Sequence, residues 1–312
     1  MDIKTIICIF CGVGVFFVLP STIYSCMVLG IFHRQRILAL EKDDLSGTQY
    51  HPFADTLKED ILYVRGLSCE TVWLDAPDGV KLCGRYYKGS TDKAVIFVHG
   101  FQSNSFNNFA RATIDFLKDG YGVLLIDQRA HGSSGGRFTT LGCKEKDDLG
   151  LWIDYVDSRE EVADVIVYGI SMGATTVGYL SDEIRSEKVK GLIMEAGFTC
   201  FYEELSNSLG KAFMKQAAMN YIYLAAKSFL RIDIKESTED SLKRCKIPVL
   251  FLHGDDDKEV STEFTERNFA ACASEKKILT VKGAGHTLCY LVGGESLRKE
   301  IDGFINECTS KI

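Results

Sequence analysis

Val165-Ile166-Val167-Tyr168-Gly169-Ile170-Ser171-Met172-Gly173-Ala174 is the stretch on which the fold turns. Its first four residues form an unbroken apolar run, the signature of a short strand buried on both faces. From about Ala174 the pattern becomes helical. A Gly-x-Ser-x-Gly string is weak alone, because glycine and serine are common. With a buried strand before it and a helix after, it reads as a sharp strand-to-helix turn that presents Ser171. Glycine suits both flanks of such a turn, since a Cβ there would collide with the neighbouring strand and helix. Ser171 is therefore the candidate nucleophile. The Met172 N–H, at a helix N-terminus where partial positive charge gathers, is a candidate oxyanion donor. The plainer alternative is an ordinary tight turn with no chemistry.

Outward from this turn the chain alternates strands and helices. Strands are expected at 94–98, 121–126, 165–168, 190–194, 249–252 and 277–281, with helices at 106–118, 146–156 and from 174. Continuous apolar strands separated by helices predict an α/β fold with a mostly parallel sheet covered on both faces. Residues 70–75 and 81–87 flank Pro77-Asp78-Gly79 and predict an opening hairpin. Residues 201–229 read as two helices rich in Tyr, Phe, Leu, Met and Ala, a small cap spanning about 198–236. An enlarged crossover without substrate contact is the alternative.

A serine hydroxyl needs a base, and six histidines are available. His33 and His51 precede the expected domain. His99, in Val98-His99-Gly100-Phe101, is read as structural, shaping a loop that offers the Phe101 N–H as a second oxyanion donor. His131 reads as a structural hydrogen-bonding residue and His253 as a core histidine. His286 follows the last strand in Gly283-Ala284-Gly285-His286, a loop small enough to swing an imidazole over the sheet edge. It is the candidate base. The orienting carboxylate comes from Asp255, Asp256 or Asp257, and spacing from His253-Gly254 favours Asp257. Glu195, at another strand end, is the alternative acid.

Taken in order, five motifs resemble the α/β-hydrolase superfamily: His99-Gly100-Phe101-Gln102, Asp127-Gln128-Arg129-Ala130-His131-Gly132-Ser133-Ser134-Gly135-Gly136, the Ser171 turn, His253-Gly254-Asp255-Asp256-Asp257 and Gly283-Ala284-Gly285-His286. The similarity is strongest to the serine aminopeptidase/lysophospholipase-like (S33-type) branch, particularly bacterial members with an N-terminal anchor, and covers about residues 68–308. It implies an α/β-hydrolase domain over 69–312 and a Ser171, Asp257, His286 triad, with Phe101 and Met172 N–H groups holding the oxyanion. A small-molecule ester or amide would be cleaved through an acyl-enzyme, with no metal or cofactor. Ala130 departs from the family pattern, where a glycine-like residue is usual. The branch spans esterases, lipases, thioesterases and peptidases, so the motifs specify chemistry rather than substrate. An aromatic-rich cap suits lipid-like esters. A small-peptide aminopeptidase would need a cap carboxylate, Glu203, Glu204 or Glu236, to hold a free α-amine. A non-catalytic scaffold is the alternative of another class, disfavoured because such proteins commonly lose a triad member.

An apolar share of 46% and a charged share of 25% suit a globular chain. A net charge of −7 without a basic run argues against nucleic acid as a partner. Eleven scattered cysteines, odd in number, read as free thiols used as small hydrophobes. Residues 5–32 contain no charged residue, which is long enough for a bilayer span of about 20 residues. An N-terminal membrane anchor over 1–32 is expected. A cleaved secretory signal, or a lipoprotein signal ending at Cys26, is the alternative. Arg34 and Arg36 against Lys4 slightly favour a catalytic domain on the cytoplasmic side. Residues 33–68 read as a connector, with a juxtamembrane helix around Ile37, Leu38, Leu40 and Leu45 that His51-Pro52 interrupts.

Overall fold

Short runs rich in aliphatic and aromatic residues become strands: β1 Glu70–Asp75, β2 Lys81–Tyr87, β3 Lys93–Val98, β4 Gly122–Asp127, β5 Asp164–Ile170, β6 Val189–Glu195, β7 Val249–Gly254 and β8 Lys276–Val281. The structure, a computed structural model, describes residues 30, 32–34, 40, 45–208 and 215–310. The strands form one sheet in the order β1-β2-β4-β3-β5-β6-β7-β8. β1 pairs antiparallel with β2, and β2 with β4; every later pairing is parallel. Val98 lies opposite Gly169, Ile170 opposite Glu195, Glu195 opposite Leu252, and Gly254 opposite Val281. The loops after β3, β5, β7 and β8 therefore leave from one edge of the sheet.

Helices cover both faces because alternate strand residues point to opposite sides. Val95 and Phe97 of β3, with Ile166, Tyr168 and Ile170 of β5, pack against α1 Ala54–Gly66, α2 Ser105–Lys118 and α9 Cys289–Thr309. Ile96 and Val98, with Val165 and Val167, pack against α3 Glu145–Asp157, α4 Met172–Leu180 and α7 Thr238–Leu242. Helix α8, Thr262–Ala271, adds Phe269 to this second face. The order, the parallel core and the two helical layers make this the α/β-hydrolase fold.

Two expectations concern the N-terminal part of the chain. The anchor expected over 1–32 lies outside the described residues except at Gly30 and Phe32, and Phe32 is itself buried against the cap ring of Phe201. Among the described residues no helix is long and apolar enough to cross a membrane. Residues 45–68, within the expected connector, pack on the domain. Pro52 opens regular structure, because a residue without an N–H costs nothing in a first helical turn. It lies in the 3₁₀ turn His51–Phe53, which leads directly into α1. Leu57, Ile61 and Val64 share one face of α1 and are buried, each contributing about 1.5–3 kcal/mol of apolar burial. Leu40 and Leu45 join the same core, whereas Ile37 and Leu38 fall outside the described residues.

The excursion between β6 and β7 forms α5 Phe201–Ser208, α6 Lys215–Ala225 and a π turn, Ala226–Leu230. Phe198, Phe201, Met219, Ile222, Ile232 and Ile234 form a third apolar cluster with Leu141 and Met172. The cap thus sits over the edge at which the loops emerge. The eight described cysteines are all free thiols, seven of them buried.

Candidate active site

Ser171 has φ +55 and ψ −120, a conformation that an L-residue adopts only under constraint. The constraint is visible. A Cβ at Gly169 would lie 2.4 Å from Gly173 O, and one at Gly173 only 2.0 Å from Val98 O. Any side chain at either site would force strand and helix apart. Ser171 N–H donates to Glu195 O at 2.8 Å, tying the turn to β6. The serine is 7% exposed and opens into the cavity under the cap.

The three residues read from sequence as nucleophile, base and acid meet here. Ser171 Oγ is 2.9 Å from His286 Nε2, and His286 Nδ1 is 2.7 Å from Asp257 Oδ2. Asp257 Oδ1 accepts the N–H groups of Glu259 and Val260 at 2.8 and 2.9 Å, which fixes the carboxylate plane. Asp257 Oδ2 has a second imidazole neighbour, His253 Nε2, at 3.2 Å. His253 is the buried core histidine expected, with Nδ1 2.7 Å from Thr265 Oγ1. Its contact with Asp257 was not read from sequence, although the two lie four residues apart across a tight loop.

Charge follows from these contacts. Burial favours a neutral Asp257, but hydrogen bonds from His253 and His286 and the positive charge available on His286 hold its carboxyl below the usual range. Burial also opposes an imidazolium at His286, yet the Asp257 hydrogen bond and charge, with Glu259 and Glu195 nearby, raise its pKa. Asp255 and Asp256 face elsewhere, Asp255 accepting from Gly283 N and Asp256 pairing with Lys258. Glu195, the alternative acid, is fully buried and accepts from Tyr168 Oη and Cys289 N. Burial pushes its carboxyl up. Asp257, not Glu195, faces His286 Nδ1.

Phe101 lies between two tethered neighbours. Gly100 N–H donates to Asn108 Oδ1 at 2.9 Å, and Gln102 N–H, at φ +51, to His131 Nε2 at 3.2 Å. His99 Nε2 accepts from Gln128 N at 3.0 Å. Met172 N–H sits in the first turn of α4, where a helix offers it no carbonyl. Phe101 and Met172 line the same cavity as Ser171 and His286. The cavity is about 910 Å³, walled by Leu141, Phe198, Phe201, Leu205 and Val260, with Asn108, Glu204 and Lys258 adding polarity. Of the three cap glutamates only Glu204 lines it, since Glu203 pairs with Arg267 and Glu236 with Lys146.

With this sheet and these loops, the chain is an enzyme of α/β-hydrolase fold. Residues 89–228 match the family described as serine aminopeptidase, S33. The chain is 27% identical to uncharacterized protein YqkD of Bacillus subtilis over 223 residues, covering 69% of this chain and 72% of that protein. It is 23% identical over 212 residues to the lysophosphatidylserine lipase ABHD12 of Danio rerio, covering 67% of this chain and 53% of the lipase. Among solved structures, the Pyrococcus furiosus esterase Pf2001 superposes with a TM-score of 0.64 at 23% identity, covering 80% of this chain and 95% of the esterase.

Proposed function

We propose that this protein is a serine hydrolase of carboxylic esters with an apolar acyl group. The hydrogen-bonded line Ser171 Oγ–His286 Nε2–His286 Nδ1–Asp257 Oδ2, at 2.9 and 2.7 Å, carries the reading. His286 removes the Ser171 proton as the hydroxyl attacks the ester carbonyl, and Asp257 stabilises the imidazolium that forms. The Phe101 and Met172 N–H groups hold the tetrahedral oxyanion. Its collapse breaks the C–O bond to the leaving alcohol, which takes the proton from His286. Water then repeats the sequence on the acyl-enzyme and releases the acid. The aromatic and aliphatic cavity walls support a medium-sized apolar acyl group. The names of the Danio rerio lipase and the Pyrococcus furiosus esterase support ester chemistry, and lipid-like esters in particular.

The test is hydrolysis of p-nitrophenyl esters of graded chain length together with fluorophosphonate labelling of folded protein. Hydrolysis and labelling should both be present in the native chain and vanish in Ser171→Ala. Turnover surviving that change would refute the assignment, and absence of both from the native chain would favour a non-catalytic scaffold. Glu204 inside the cavity favours one second reading, an aminopeptidase that holds a substrate α-amine. Faster turnover of amino-acid arylamides than of esters, lost in Glu204→Gln, would establish it. The uncharged stretch at 5–32 supports a membrane anchor with the catalytic domain on the cytoplasmic side. Carbonate-resistant membrane pelleting and protease protection in sealed vesicles test that placement.

A further inference from the structure

Residues 45–53 precede the sheet and are remote in sequence from Ser171, yet they place Tyr50 in the cavity wall. Leu45 is buried in the core, and Thr48 turns the chain back by donating from both N–H and Oγ1 to Leu45 O. This turn aims two side chains at the loops that carry the base and the acid. Tyr50, which lines the cavity, shares a hydrogen bond of 3.1 Å between its hydroxyl and Thr287 Oγ1, on the residue next to His286. Gln49 Nε2 donates to Glu259 Oε1 at 3.4 Å, and the other Glu259 oxygen is 4.0 Å from His286 Nε2. The fit is close: a Cβ at Gly285 would stand 2.9 Å from Gln49 Oε1.

Thr287 shows what this contact has to do. Its φ is +61, in the left-handed region that β-branched residues avoid. Such a conformation is kept only where the surroundings over-determine it, and here it sets the direction in which the preceding residue leaves the backbone. Burial pushes the Tyr50 phenol up, so its hydroxyl stays protonated at working pH.

We propose that the strap at 45–53 is a working part of the active site, in which Tyr50 is a positioning residue that holds Thr287 and thereby the His286 ring within reach of Ser171. The inference rests on the reading of Ser171 and His286 as nucleophile and base. A phenylalanine at 50 keeps the wall and deletes the hydrogen bond; a valine at 287 keeps the shape and deletes the same bond from the other side.

The experiment is a double-mutant cycle on the full chain with Tyr50→Phe, Thr287→Val and the pair, with Thr287→Ser as rescue. Each single change should lower kcat for a p-nitrophenyl ester about 5- to 20-fold through misorientation of the base, with KM changed less than about twofold. The double variant should be no slower than the slower single, and the serine variant should recover most of the rate. Losses that multiply, or a lower melting temperature with kcat intact, would overturn the proposal. Histidine-labelled NMR keeps this result separate from the ester reading. Tyr50→Phe should move the His286 ring resonances and their titration even if no substrate is turned over. Unmoved resonances would sink the strap's role, whereas failed fluorophosphonate labelling of the native chain would sink the ester reading.

Discussion

Two pairs of histidines sit at the same edge of the sheet and behave as opposites. His99 and His131 meet edge to face with ring centroids 5.1 Å apart. Each donates from Nδ1 to a carbonyl, that of Gly100 or Arg129, and each accepts a backbone N–H at Nε2. Burial pushes both down, His99 to about 4 with the help of its neighbour's charge. They stay neutral and brace the loop that carries Phe101. His253 and His286 instead converge on one carboxylate, Asp257, and His286 is raised although it too is buried. Residue type and place on the fold do not distinguish the pairs. The carboxylate does.

Asp257→Asn breaks this contrast most directly. It keeps the shape and removes the charge that orients and stabilises the His286 imidazolium, so kcat/KM should fall by about 10⁴. Ester hydrolysis measures it. A loss under tenfold would mean that another carboxylate, such as Glu195, serves the base.

The second prediction sets stability against activity. His99→Ala leaves Gln128 N–H and Gly100 O unpaired in a fully buried site, which should cost about 2–4 kcal/mol in urea unfolding. His286→Ala should abolish turnover with a much smaller stability change, because the ring faces the cavity. The sign with pH is also set. A histidine whose folded pKa lies below its unfolded value binds protons more readily when unfolded. Native stability should therefore fall as pH drops from about 6.5 toward 4, and His99→Ala should flatten that slope. Equal stability losses in the two alanine variants would erase the difference between the pairs.

Local features made much of this site legible. The Ser171 turn, the small-residue loop before His286 and the run of three aspartates each declare themselves within a few residues, and the sheet brings them to one edge. Ala130 departs from a glycine-like position, and its φ of +59 shows why glycine would suit it. What stayed hidden depends on distant pairing. Tyr50 has its role only through Thr287, 237 residues away, and nothing in Thr48-Gln49-Tyr50 announces a cavity wall. Pro52 interrupts one apolar pattern and opens another, and its second role shows only once the following face, Leu57, Ile61 and Val64, is seen to be buried. Glu203, Glu204 and Glu236 could not be ranked without knowing where Arg267 and Lys146 lie.

The smallest predicted effect tests how the raised pKa of His286 is divided between its neighbours. Only the neutral ring accepts the Ser171 proton, so kcat/KM should fall as pH drops through that pKa, and the midpoint of this limb should lie above the ordinary 6.5 of histidine. Asp257 is fully buried and acts at any ionic strength, but the Glu259 side chain is 63% exposed and stands 4.0 Å from Nε2. Glu259→Gln should move the limb down only slightly, since exposed charges are screened. Raising salt to about 1 M, where the Debye length is about 3 Å, should move the native limb the same way and leave the glutamine variant nearly unmoved. Equal movement in both proteins would mean that the salt-sensitive share of the shift comes from a charge other than Glu259.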